Sequence, residues 1–271
     1  MSLFEKEFKL DKVIRAIDDG ENLDADQRQS SKELVWVLAE TYLQRDYDES
    51  KVLHIEESFS NPLVAGTIDL IQRIAKPIYL PKNKAGKKII VDWKTTNSST
   101  FDKAFRERYV NSWQWKIYCL YGQAELFEYR CISKTTGDTI ELALEFSDDV
   151  RASVENQLKG MNLLVDSLIN INDVWPRHMP SGCNVYGKPC PFLEICTNNH
   201  YIPVKSIPLP LHYSTMETFL TCPERFRLAE GIKSDYGVEA KDTYETAIGS
   251  AVHRGMQEIY SQLMEKQIGK S

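Results

Sequence analysis

The hydrophobic rhythm of the chain changes several times, and each change marks an element. Phe4, Phe8, Leu10, Val13, Ile14 and Ile17 recur at roughly helical spacing, which predicts a helix over 3–19 that stops at Asp18-Asp19-Gly20. A wider stripe of Leu34, Val35, Val37, Leu38, Tyr42 and Leu43 predicts a second helix over about 26–45, with Ser30 or Ser31 as a cap. The period then shortens to two. Residues 52–59, 64–71, 78–80 and 88–96 read as strands of a meander, joined at Asn61-Pro62 and at Asn83-Lys84-Ala85-Gly86. In the last of these, Lys88-Ile89-Ile90-Val91-Asp92-Trp93-Lys94-Thr95-Thr96, an apolar centre ends in charged positions. A helix over 101–124 follows, with Tyr109, Trp113, Ile117 and Leu120 along one side. Strands near 127–134 and 138–146 form a hairpin around Thr135-Thr136-Gly137-Asp138, and an amphipathic helix over 147–171 starts at Ser147-Asp148-Asp149. From 172 prolines and glycines break the pattern, Pro203, Pro208 and Pro210 mark a connector, and helices are predicted over 214–230 and 249–266.

Composition narrows the class. The chain has 271 residues, 42% hydrophobic and 27% charged, enough for a sizeable core. No apolar run approaches the ~20 residues of a membrane span, and the first residues lack the apolar centre of a signal peptide. The expectation is a cytoplasmic protein without a membrane partner. A net charge of −6 argues against bulk electrostatic binding of nucleic acid, so any such activity needs a local basic groove. Arg106, Arg108 and Lys116 could supply one, or could be a solvated helix face. Six cysteines in a reducing compartment suggest ligands or core residues before disulfides.

The chemistry concentrates on the 88–96 strand. Alternation puts Asp92 and Lys94 on one face and Val91 and Trp93 on the other. An acid and an amine at the end of an apolar strand are costly to bury unless they pair or bind something. In Gly66-Thr67-Ile68-Asp69, Ala65, Thr67 and Asp69 share a face, and Gly66 permits close backbone approach; alone, Asp69 could be an edge-strand aspartate near a turn. Gln114 and Tyr118, four apart, share one helix face, an arrangement also common on half-exposed helices. Cys183, Cys190 and Cys196 lie in one loop, Cys222 lies in Phe219-Leu220-Thr221-Cys222-Pro223-Glu224-Arg225-Phe226, and Cys119 and Cys131 read as core residues. His253 sits beside the Val252, Met256, Ile259 and Leu263 stripe, either a surface histidine or a ligand.

Together, G-x-x-D, D-x-K about twenty residues on, and Q-x-x-x-Y about twenty beyond that resemble the PD-(D/E)xK nuclease superfamily in its RecB-like branch, which includes CRISPR-associated RecB-like exonucleases. The resemblance implies an α/β (α+β) restriction-endonuclease-like core, a central mixed β-sheet flanked by helices. It implies a DNA exonuclease with Asp69 and Asp92 as ligands of Mg²⁺ or Mn²⁺, Lys94 as the catalytic lysine, and Gln114 and Tyr118 on the substrate side. Hard divalent cations favour carboxylate oxygens, and a lysine in a partly buried site can have a lowered pKa. The family's F-x-x-C-P helix and G-x-x-x-H helix correspond to the stretch around Cys222 and to Gly249-Ser250-Ala251-Val252-His253. This implies His253 as a third metal ligand and a [4Fe–4S] cluster on Cys183, Cys190, Cys196 and Cys222, with zinc as the alternative. The Cys183–Cys190 spacing is wider than the family's usual C-x2-C.

The motif order is rotated, because the cysteine and histidine helices come last here and first in the family. The expected organisation is one nuclease domain: a helical lead over 1–50, catalytic sheet and helix over 51–146, helix and cysteine loop over 147–200, and a permuted segment over 201–271. Circular permutation is the simplest account. The rivals are a domain-swapped homo-oligomer, in which the last segment completes a neighbour, and a piece of a longer chain within a larger DNA-processing complex. A non-cleaving nucleic-acid-binding or assembly subunit is the alternative function.

Overall fold

A computed structural model of the chain describes residues 8–19, 23–77, 82–169, 175, 183–185, 188–197, 210–236 and 244–269. The expected strand at 78–80, the start of the first helix and the proline-rich stretches at 176–182 and 201–209 lie outside these residues. Two helices lead, α1 (Leu10–Asp18) and α2 (Ala25–Glu49). The second begins at Asp24 rather than at a serine, in a capping box with Gln27. Strands β1 (Ser50–Ser60), β2 (Ala65–Ile74) and β3 (Lys88–Thr96) follow, then α3 (Lys103–Asn111), α4 (Trp113–Gly122), β4 (Leu126–Ser133), β5 (Thr139–Glu145) and α5 (Asp148–Ile169). The cysteine loop carries a short hairpin, β6 (Asn184–Val185) with β7 (Lys188–Pro189), and α6 (Leu193–Thr197). The chain continues through α7 (Tyr213–Thr221), α8 (Pro223–Tyr236) and α9 (Tyr244–Ile268).

Among the described residues, the main sheet has five strands in the order β1-β2-β3-β4-β5. It is mixed: β3 and β4 pair in parallel and the other neighbours are antiparallel. This is the flanked mixed sheet expected of a restriction-endonuclease-like core. The parallel step needs a crossover, which α3 and α4 provide. One face of the sheet presents Leu70, Val91 and Trp93 to α1, α2 and α9. The other presents Ile71, Ile90, Phe127 and Tyr129 to α4, α5, α7 and α8. β3 is covered on both faces, which explains its apolar centre.

Two helices expected to be continuous are broken. The run over 101–124 divides at Ser112, whose hydroxyl caps α4 by accepting from Gln114 N. Glu217 of α7 holds that break by accepting from Ser112 Oγ at 2.7 Å and Trp113 N at 2.8 Å. The run over 214–230 divides at Cys222, and Pro223 opens α8 at a position where a missing N–H is harmless.

The segment from 210 onward packs against the preceding sheet of its own chain. Leu211 bridges Val64 and bonds both Leu63 and Ala65, beside the start of β2. In α9, Val252, Met256, Ile259, Tyr260 and Leu263 are fully buried, each contributing about 1.5–3 kcal/mol gross. Gly255 lets α9 approach α1 and α2: a Cβ there would stand 2.7 Å from Val35 Cγ2 and 3.0 Å from Ile17 Cγ1.

A buried ionic network crosses these layers. The Arg130 guanidinium of β4 forks onto Asp46 of α2 at 2.6 and 2.9 Å and also donates to Glu128 and to Tyr260 of α9. Tyr260 donates to Asp46 in turn, and Arg45 joins Glu128 and Glu141 at 2.6 and 2.5 Å.

Candidate active site

The ladder between β2 and β3 runs as far as the Leu70–Val91 pair. One step further Asp69 and Asp92 stand opposite each other, where β2 keeps pairing with β1 and β3 with β4. The two strands part there, and the acids lie in the notch. Alternation sends Asp92 and Lys94 toward the α4 layer, while Val91 and Trp93 pack against α9.

Side chains reach the notch from both layers. Gln114 of α4 is buried and donates from Nε2 to Asp92 Oδ1 at 2.7 Å. Lys94 Nζ stands 2.7 Å from Asp92 Oδ2; Asp92 is 1% exposed and Lys94 23%. From α9, His253 donates from Nε2 to the Trp93 carbonyl at 2.7 Å and places Nδ1 3.3 Å from Asp69 Oδ2. Gly249, one turn before His253, seats the helix end: a Cβ there would meet Thr95 Oγ1 at 3.2 Å. Tyr118 lies one turn beyond Gln114 but is buried in the core, its ring edge against Phe59 and close to Gly66. The structure therefore brings Asp69, Asp92, Lys94, Gln114 and His253 together and leaves Tyr118 behind them.

The electrostatics are those of crowded acids. Burial and the neighbouring Asp92 charge push the Asp69 carboxyl well above its ordinary range, against the pull of Lys94 and of a hydrogen bond from Trp93 N–H. Burial, then Lys94, pushes the His253 imidazole down, opposed by Asp92 and the Trp93 carbonyl. A carbonyl only accepts, so the proton of the neutral ring sits on Nε2 and Nδ1 presents a lone pair. That lone pair faces a carboxylate oxygen at 3.3 Å, an arrangement that requires a proton or a cation between the two.

The donors fit a hard divalent cation on that ground. Among the described residues, Asp69 Oδ2 and Asp92 Oδ2 are buried and accept no hydrogen bond of ordinary geometry, the Lys94 ion pair notwithstanding. The set is open, not a finished cage: among the described residues no group of three His, Cys, Asp or Glu is already drawn together around a metal position, and water oxygens would complete the shell of such an ion.

The cysteines fare differently. Cys183 and Cys190 are tied by a 2.8 Å backbone bond across the short hairpin, Cys196 lies on α6, and Cys222 is buried between α7 and α8. Among the described residues the four thiols are not gathered into a ready metal-binding group, and no chemical step is assigned to them. Cys119 and Cys131 are buried core residues, and burial pushes the Cys131 thiol up to about 12.

The family comparison bears on the tail. A family model of the PD-(D/E)XK nuclease superfamily matches residues 210–270. This nuclease-like stretch runs from the Leu211 bridge through α9, so it includes Glu217, which caps the Gln114 helix, and His253. No curated protein matches the chain. No helix among the described residues is long and apolar enough to cross a membrane.

Two residues near the notch carry no sequence motif. Glu56 stands opposite Asp69 on β1, between the Ile55–Leu70 and Glu57–Ile68 pairs, with a left-handed φ of 53°. Its charge adds to the upward push on Asp69. His212, just before α7, is close enough for Lys94 to depress its pKa, after burial as the larger cause. Strand pairing could have exposed Glu56; nothing local in the sequence marks His212.

Proposed function

We propose that this protein is a metal-dependent nuclease that hydrolyses phosphodiester bonds in DNA, acting as an exonuclease of the RecB-like kind. The observation that carries the reading is the meeting of Asp69, Asp92 and Lys94 with His253, which arrives from the opposite layer and from the stretch that matches the nuclease family. Asp69, Asp92 and His253 Nδ1 would hold Mg²⁺ or Mn²⁺. When bound, such an ion supplies a water of lowered pKa and neutralises charge growing on the phosphate.

The chain's own groups do the rest. Gln114 fixes the Asp92 carboxylate, and the Trp93 carbonyl fixes the His253 tautomer. The Lys94 ammonium, at the open side of the notch, orients the attacking water and stabilises the phosphate oxygens. Circular permutation accounts for the motif order, since α7 and α9 follow the sheet in sequence yet serve the same notch. The packing of α9 on the sheet of its own chain supports permutation over a swapped dimer.

The test is degradation of end-labelled single- and double-stranded DNA with Mn²⁺ or Mg²⁺, with circular DNA as the substrate an exonuclease cannot enter. Asp92→Ala and Lys94→Ala should each abolish product while leaving DNA binding intact. Binding without cleavage under every metal would refute the proposal and favour a non-cleaving subunit.

A further inference from the structure

Trp93 stands between Asp92 and Lys94 on β3 but points to the opposite layer, where it is almost fully buried. Its indole Nε1–H is buried and has no hydrogen-bond partner among the described residues. Without a polar anchor, the ring is placed by what packs on it. α9 meets this one residue at two points. His253 donates from Nε2 to the Trp93 carbonyl at 2.7 Å, and the two rings stand at 88° with centres 6.4 Å apart. Tyr260 lies about two turns further along the same face of α9 and sets its ring 5.2 Å from the indole centre.

Tyr260 is itself fastened to other elements. Its hydroxyl donates to Asp46 of α2 and accepts from Arg130 Nη1 at 2.8 Å. Burial, then the Asp46 charge, pushes that hydroxyl well above its ordinary range, so it stays protonated as the donor. Arg130 stands opposite Trp93 in the parallel β3–β4 ladder, which registers the clamp to the strand that carries Asp92 and Lys94. The guanidinium also forks onto Asp46 and lies 4.5 Å from the Tyr42 ring centre, which ties it to α2. The 3.3 Å separation of His253 Nδ1 from Asp69 Oδ2 therefore follows from where α9 sits on Trp93.

We propose that Tyr260 is a positioning residue of the metal site: it fixes α9 against Trp93 and so sets the approach of His253 to Asp69. The proposal rests on the reading of Asp69, Asp92 and His253 as the ligands of a divalent cation, and it gives the buried network a task at the notch. A phenylalanine at 260 fills the same space and keeps the contact with Trp93, so the helix still docks. Asp46 and Arg130 lose the hydroxyl they share, and α9 is no longer tied to β4 through it. His253 and Tyr260 ride on one helix, so a small rotation at one moves the other. Outer supports of this kind commonly change metal affinity by about 10–100-fold.

The experiment titrates Mn²⁺ into the full chain without DNA and reads free Mn²⁺ by electron paramagnetic resonance. Tyr260→Phe should weaken Mn²⁺ binding about tenfold. In a His253→Ala background the same change should have no further effect, because the route from Tyr260 to the ion runs through that imidazole. Val154→Ala, a buried position of α5 on the other face of the sheet, is the control for stability alone. It should lower the urea midpoint and leave Mn²⁺ affinity as in the native chain. Unchanged affinity in Tyr260→Phe, an equal loss in Val154→Ala, or a further loss of similar size on adding Tyr260→Phe to His253→Ala would each overturn the proposal, as would a native chain that binds no Mn²⁺. Cleavage of end-labelled DNA is scored separately. Mn²⁺ affinity that depends on Tyr260 through His253, without cleavage, refutes the nuclease reading and keeps the positioning role, whereas cleavage with an affinity indifferent to Tyr260 does the reverse.

Discussion

Asp46→Ala should destabilise the protein by about 3–5 kcal/mol, the range for removing one member of a buried, hydrogen-bonded ion pair. The structure explains the size. Asp46 is 2% exposed and receives both ends of the Arg130 fork and the Tyr260 hydroxyl. Without it, a guanidinium 1% exposed keeps Glu128 and Tyr260 but loses the carboxylate that pairs both terminal nitrogens. Asp46→Asn keeps the shape and one acceptor and should lose about 1.5–3 kcal/mol, as for hydrogen bonds to a charged group. Urea unfolding followed by circular dichroism measures both. The pH dependence is a second readout. Burial alone would raise the Asp46 pKa, but Arg130 outweighs it and the net shift is downward. A depressed carboxyl stabilises fully above its unfolded pKa and loses that contribution as pH falls through the folded value. The gap between native and Asp46→Asn should therefore be flat from pH 7 to about 5 and close below about 4. A loss under 1 kcal/mol for Asp46→Ala at pH 7, or a gap that widens in acid, would refute the reasoning.

Three further outcomes follow from the geometry. His253→Ala should raise the Mn²⁺ concentration for half-maximal cleavage about 10–100-fold, the range for altered metal-site support, as read by metal titration of the DNA assay. Gln114→Ala leaves the Asp92 Oδ1 atom without its 2.7 Å donor and should cost about 1–3 kcal/mol, checked by urea unfolding; an unchanged midpoint would contradict the bond. Gly255→Ala should lose about 1–3 kcal/mol through crowding of Val35 and Ile17, whereas Gly160→Ala on α5, with nothing within 4 Å of the added carbon, should gain about 0.5–1 kcal/mol, both read from thermal melts.

Much of the sheet was legible in the sequence because each strand carries its own pattern. β3 spans the expected 88–96, since a strand covered on both faces shows a continuous apolar centre whatever surrounds it. Alternation alone put Asp92 and Lys94 on one face. The break at Ser112 was not legible, because Glu217, more than a hundred residues away, helps to hold it. The Asp46–Arg130–Tyr260 network was likewise hidden, as its members look like ordinary helix and strand polar residues until three elements meet. The cysteines are a different case: motif and spacing suggest a shared metal, but thiol convergence is set by loop geometry, which spacing does not encode. His253 was legible as a candidate, while its tautomer and its approach to Asp69 depend on the Trp93 carbonyl.

The docking of α9 carries a kinetic consequence. Gln262 bonds the backbone of Lys9 across 253 residues of chain, and Gln267 bonds Ser50 and Val52 across more than two hundred. The hairpins of the sheet close short loops and can form early, whereas these contacts close the longest loops and come late. On dilution from denaturant, strand signal should return well before cleavage does, and the interval measures how long α9 takes to find its slot.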